Sequence, residues 1–368
     1  MRRSLIPTIA ATSSVAASTA FLSLVCSMGC SDQPTPPTDP STSSAWQLLG
    51  TRTTEIPVAL AGYRSQIMAA FRTVPSGEEL DSGSGGEAGL DSAVSVRGLT
   101  EGIWTPLGGT LSGTVRDMVE FQGSLWVGGD LYESAGTPLN GLVRWDGAEW
   151  RPEGPAHPSD PDLSLMVSGL LVREDGLVVA TVSGWLDGDC RVAEITGGDY
   201  VSNRVDVRTS MLVDWNGSVV VGGSSAGDVL CSDSPRILRR IEDSWSPFDA
   251  GWYDTEPCYY VGSGTVWSET LVLTGGHLPG SDVASVHTWD GVTWGNLGSW
   301  IPATDVRAFG DRLLAWSDRA VFEWDGATWH DLGGPTPGSI TDVLVQDGAV
   351  VICGRHDLGG GYVAVQSP

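Results

Sequence analysis

Beyond residue 45 the chain is built from short apolar runs that alternate with polar positions and break at glycine-containing turns. The runs pair. "VEFQGSLWVGG" (119–129), "LVDWNGSVVVGG" (212–223), "ETLVLTGG" (269–276) and "LVQDGAVVICG" (344–354) each place two runs around a tight turn, the second often ending in Gly-Gly. That is the signature of a β-hairpin. A second hairpin follows in the same repeat: "RWDGAEW" at 144–150 returns as "TWDGVTW" at 288–294 and "EWDGATW" at 323–329, with degenerate forms in "GLTEGIW" and "EITGGDY". Two hairpins per repeat predict four strands, and no part of this region carries a helical pattern.

The aromatic residue that closes the second hairpin recurs at Trp46, Trp104, Trp150, Tyr200, Trp245, Trp294 and Trp329, at steps of 35 to 58 residues. These steps centre on the period of a four-stranded propeller blade. After Trp329 the chain supplies three further strands and stops short of a fourth, while "AWQLLG" (45–50) is a fourth strand without a blade. The expectation is therefore an all-β, seven-bladed propeller over residues 45–368, closed by the N-terminal strand completing the C-terminal blade, which would remove open sheet edges.

In the repeated heptad the Asp-Gly pair is expected to fill the central positions of a type I′ turn, with Trp145 and Trp150 flanking it on adjacent strands. A row of aromatics for carbohydrate stacking competes with core packing as the role of these tryptophans; repetition at equivalent positions favours packing. Asp146, Asp290 and Asp325 read as turn residues, since none sits in an oxygen-rich calcium loop. Asp187 and Asp189 in "WLDGDC" are the nearest approach to such a loop.

Composition agrees with many strands and turns: Gly 49, Trp 16, and only 18% charged residues. The W-D-G-x-x-W repeat resembles the kelch-like and galactose-oxidase-type β-propellers of secreted bacterial proteins and lipoproteins. The Trp-Asp pair also suggests WD40 repeats, but their Gly-His element is absent.

The first residues tell a separate story. Arg2 and Arg3, an Ala/Ser-rich apolar stretch and Ser27-Met28-Gly29-Cys30 predict a secretory signal over 1–29. Its end resembles a bacterial lipobox, although Ser27 stands where leucine is preferred, and the resemblance implies lipidation at Cys30. Residues 30–44, rich in Pro, Ser and Thr, read as a tether too polar to fold. The expected location is the outer membrane or cell surface, held by lipid. Net charge is −25, and loss of Arg2 and Arg3 with the signal takes it to −27, which argues against a nucleic-acid partner.

Turns inside the hairpins are short, so they share one face, and the longer connections share the other. Recognition is normally carried by such variable loops. Residues just after the second strands, Asp130, Tyr132, Trp185, His277, Arg355 and His356, are the candidate binding set around the mouth of a central channel. Cys190, Cys231 and Cys258 fall in presumed long connections, so a Cys190 to Cys231 disulfide, or Cys231 to Cys258, is expected, and Cys353 is expected as a buried thiol. No catalytic, metal or cofactor motif is present: the five histidines lack a ligand spacing, and Cys258-Tyr259 is adjacency in sequence only. The reading is a monomeric binding or scaffold module for an envelope protein or glycan; the alternatives are a secreted carbohydrate-active enzyme with its site at the channel mouth and a purely structural spacer or adhesin.

Overall fold

The computed structural model describes residues 46–366 apart from 51–52, 74–91, 154–165, 175, 184–188, 197–198, 206, 226–236, 243, 249–258, 278–283 and 334–335. The leader, Cys30, the tether, Trp185, Asp187, Cys231 and Cys258 lie outside the described residues. Among those described, every element is a β-strand and every pairing is antiparallel.

Strands add in chain order to form up-and-down groups of four. One group is Met166–Val172, Leu177–Ser183, Asp189–Thr196 and Asp199–Val205. Three more begin with the first strands Val207–Trp215, Tyr259–Trp267 and Asp305–Phe309. A nine-stranded sheet spans from Ile56–Tyr63 to Trp150–Pro152 and contains the first strand Leu111–Phe121. In the remaining sheet, Trp46–Leu48 pairs with Gly361–Gln366, which continues through Ala349–His356 to the first strand Gly338–Gln346. Trp46 is opposite Gln366, as the orphan-strand reading expects.

The closing aromatics fall where the repeat puts them. Trp294 and Trp329 occupy the outermost strands of their four-stranded sheets, opposite Trp289 and Trp324, and Trp104 and Trp150 lie on terminal strands of the nine-stranded sheet, opposite Leu99 and Trp145. Cross-strand rings in the three W-D-G hairpins lie 5.2, 5.0 and 5.3 Å apart, centroid to centroid, in tilted packing. The same rings also latch onto the neighbouring group. Trp104 Nε1 donates to the carbonyl of Leu49 at 3.1 Å, Trp150 Nε1 to Gly109 at 3.2 Å and Trp329 Nε1 to Leu297 at 2.7 Å. Each acceptor lies in the short "LG" turn that follows the outer strand of the preceding group. The turn and the next group's tryptophan thus form one unit.

Two expectations need correction. The W-D-G turn is not type I′, because the pairing of Trp145 with Trp150 leaves four residues in the loop and only Gly147, at φ 105°, is left-handed. The Asp146 carboxylate instead folds over the loop, its Oδ1 accepting the amides of Ala148 and Glu149 at 2.9 Å; Asp290 and Asp325 do the same. Those amides, Glu149 and Thr328 foremost, hold the carboxyls of Asp146 and Asp325 well below the usual range. Type I′ geometry belongs to the first hairpins, where Gln122-Gly123, Asn216-Gly217 and Asp347-Gly348 all take positive φ. The second correction is Cys190, which is not in a connection: it lies in the strand Asp189–Thr196, paired with Val182 and Val205, and is fully buried in a cluster with Val178, Val192 and Val221. Cys353 is buried, as expected.

Candidate functional site

The first strands of the groups gather around a common hub, and nearly all are interrupted at the same level. Pairing with the second strand skips a residue at Val58, Arg116, Ser168, Ser210 and Thr341, and two at Gly262-Ser263. A β-bulge re-aims the residue it carries and frees backbone groups from the ladder. Side chains of the same strand and of the neighbouring group bind backbone groups at this level. Asp117 accepts the amides of Met118 and Leu170, each at 2.8 Å, and Asp342 accepts those of Leu60 and Val343, also at 2.8 Å. Ser263 both donates to the Val306 carbonyl and accepts its amide, at 3.1 and 3.0 Å, and Thr265 accepts the amide of Ala308. The hub edges are stitched by short side chains.

Five first strands, from Leu111–Phe121 round to Asp305–Phe309, wall a hub cavity of about 490 Å³. Its lining includes Arg116, Asp117, Ser168, Ser210, Asp305 and Arg307. Arg307 reaches Asp342 at 3.3 Å and lies over the Trp316 ring at 5.7 Å, yet 42% of its side chain stays accessible from the lumen. Burial works against its charge, but Asp342, Asp117 and Asp305 outweigh burial and raise its pKa. Burial pushes Asp117 up to about 6, with Arg307 and the Leu170 amide opposing. It also raises Asp305 and Asp342.

No protein-family model matches the sequence, and no curated protein matches it. Solved structures do match in fold. The β-propeller domain of the trilobed protease from Pyrococcus furiosus superposes with a TM-score of 0.50 at 8% identity, covering 86% of this chain and 95% of that one. The AfRom2 CNH domain gives 0.51 at 9% identity, over 87% and 98%. The chain is a β-propeller. At such identities the likeness carries the fold alone, and the chemistry must come from this propeller's own hub.

Four of the six residues expected at the mouth can be placed in full. Asp130 is exposed and Tyr132 half-buried, both on Ser124–Ser134; Arg355 is exposed and His356 half-buried, both on Ala349–His356. The His356 ring accepts the Leu358 amide at its Nδ1 and meets the Tyr362 ring edge-on at 6.3 Å. His277 ends the strand Thr270–His277, its side chain outside the described residues. These positions lie on second strands, one strand out from the hub, and Asp130, Tyr132, Arg355 and His356 do not line the hub cavity. The cavity groups were missed because they do not repeat. Their signal was the adjacent charged pair Arg116-Asp117 between the buried Val115 and Met118 of a first strand, where strict alternation would place one of the two charges on a buried face without a bulge.

The raised pKa of Asp117 has a consequence for stability. A carboxyl whose folded value, about 6, exceeds its unfolded value favours folding below roughly pH 4 and withdraws that contribution as pH rises through 6. The difference in unfolding free energy between wild type and Asp117→Asn should therefore fall by about 2–3 kcal/mol from pH 4 to pH 7. Paired denaturant titrations across that window check it; a pH-independent difference would show that burial does not tune this carboxyl.

Proposed function

We propose that this protein is a lipid-anchored, extracytoplasmic, closed seven-bladed propeller serving as a binding or scaffold module for an envelope protein or glycan. Seven blades is the reading obtained by dividing the nine-stranded sheet at the two-residue pairing of Ala93 and Val94 with Ser112 and Leu111. Each half then reads as a blade of four, with the two-residue strand Thr137–Pro138 an extension on Ser124–Ser134, and the pairing of Trp46–Leu48 with Gly361–Gln366 supports closure of the ring. The W-D-G-x-x-W repeat supports a kelch-like assignment, and the segment ending in Cys30 supports export and lipidation.

The observation that carries a binding role is the hub cavity, whose floor of bulged strands leaves charged groups facing an accessible lumen. Asp117 and Asp342 have both carboxylate oxygens held by backbone amides, which suits a rigid recognition surface better than proton transfer. Asp130, Tyr132, Trp185, His277, Arg355 and His356 remain the proposed contacts for a larger partner on the face of the long connections, and Cys231 the proposed disulfide partner of Cys190 or Cys258.

Detergent-phase partition of the full chain expressed with its leader tests the anchor. Wild type should enter the detergent phase and Cys30→Ser the aqueous phase. Envelope crosslinking and a glycan array on the same preparations test the module; a wild-type protein that stays aqueous and retains no partner would remove this reading.

A further inference from the structure

The hub lumen holds more charge than its architecture uses. Asp342 is committed to Arg307 and two amides, and Asp117 to two amides. Arg116, carried on a bulge and exposed within the cavity lining, has no hydrogen bond or ion pair among the described residues. Asp305, also on the lining, receives the Thr304 hydroxyl on one oxygen at 2.8 Å, and its other oxygen has no hydrogen bond among the described residues. The groups left to face a ligand are therefore the Arg116 guanidinium, one oxygen each of Asp305 and of Asp214, whose other oxygen holds Arg173, and the remaining donors of Arg307.

That balance selects a ligand. An anion would meet Asp117, Asp214 and Asp305 on the cavity lining, and a cation would meet Arg116 and Arg307; each repulsion is stronger in a concave site than in open water. A neutral molecule rich in hydroxyls can accept from the guanidinium and donate to the carboxylate without carrying charge into the cavity. A volume of about 490 Å³ is in the range of small-molecule sites. A separate feature points the same way. Trp300 keeps 54% of its surface exposed, alone among the large apolar tryptophans of the described residues, on the connection between Trp294–Asn296 and Asp305–Phe309. Its neighbours Ile301 and Ala303 are buried in the core below, which fixes the exposed ring in place. Five residues separate it from Asp305, so it stands within about 17 Å of the lumen carboxylate.

We propose that the hub cavity binds a neutral mono- or disaccharide, or the end of a longer neutral glycan, with hydroxyls bridging Arg116 and Asp305 and Trp300 offering a stacking face on the same side. This rests on the binding-module reading above and narrows it to a ligand class.

The test is saturation-transfer NMR and calorimetry on the full chain with glucose, galactose, mannose, maltose and cellobiose, against glucuronate, glucosamine and glycine as anionic, cationic and dipolar probes. A neutral sugar should bind, Arg116→Ala should weaken it about 10-fold or more, and Trp300→Ala should remove part of the signal from the ring protons. Asp305→Asn, which leaves Arg116 unbalanced, should improve glucuronate relative to the neutral sugar, a change that a merely unfolded variant would not show. Preference of the wild type for a charged or dipolar probe, or no binding of any sugar, overturns the proposal. A sugar that binds equally to Arg116→Ala but is lost on changing Tyr132 and His356 overturns it too, while leaving the binding-module reading in place; absence of every partner, protein or glycan, removes both.

Discussion

Asp342→Ala should lower the stability of the fold by about 3 kcal/mol, and Asp342→Asn by roughly half as much. The carboxylate accepts the amides of Leu60 and Val343 at 2.8 Å and holds Arg307 at 3.3 Å. Removing it leaves two hub amides without an acceptor and takes from the Arg307 guanidinium the strongest of its three carboxylate neighbours. Breaking a buried pair from one side costs about 3–5 kcal/mol; the lower end applies because Arg307 remains 42% accessible and water can replace part of the loss. Asparagine keeps one acceptor oxygen, hence the smaller effect. The bond to Leu60 also ties residues 282 positions apart, joining the first strands Ile56–Tyr63 and Gly338–Gln346. Denaturant unfolding monitored by tryptophan fluorescence reads the loss, and a change under 1 kcal/mol for alanine would show that the stitch is dispensable.

Gly108→Ala should cost about 2–5 kcal/mol, well above what glycine positions in turns usually show. The backbone at Gly108 has φ 72°, which carries a strain of about 1 kcal/mol or more for a residue with a side chain. An added Cβ would also lie 2.4 Å from Trp145 Cζ3 and 3.0 Å from Trp150 Nε1. Neither indole can yield without disturbing the ring pair and the Trp150 bond to Gly109, and overpacking of that kind adds about 1–3 kcal/mol. Gly147→Ala is the control: its φ of 105° brings strain, but nothing lies within 4 Å of the added carbon. The excess of the first variant over the second measures the latch. Equal losses for the two would mean that the tryptophans move freely.

The contrast between these two sites marks what a sequence can and cannot convey. The outer hairpins repeat, so Trp104, Trp150, Trp294 and Trp329 could be aligned with one another, and the strands fell where that alignment put them. The turn at Asp146 was misjudged because an Asp-Gly pair fits both a two-residue and a four-residue loop; the register of Trp145 with Trp150 decides, and register is a property of pairing between strands. Cys190 was misplaced for a related reason. An acidic, glycine-bearing approach hid that its strand already begins at Asp189. The hub was the least legible part. Arg116, Ser168, Ser210 and Thr341 share a bulge, but each blade puts a different chemistry there, so no repeat advertises it. The packing positions recur along the chain, and the hub residues vary from one first strand to the next.

The pairing of Trp46–Leu48 with Gly361–Gln366 also sets an order of events for the growing polypeptide. Strands within each blade meet near neighbours and can zip as they are made, but this one must wait, unpaired, until almost all the others exist. Its closure is the most non-local step of folding, and non-local pairing is the slow kind. Until then the edge of Gly361–Gln366 that it covers is unpaired. The interval between synthesis and this pairing is thus when that edge is most open to chaperones, to proteases and to pairing with other copies of the chain.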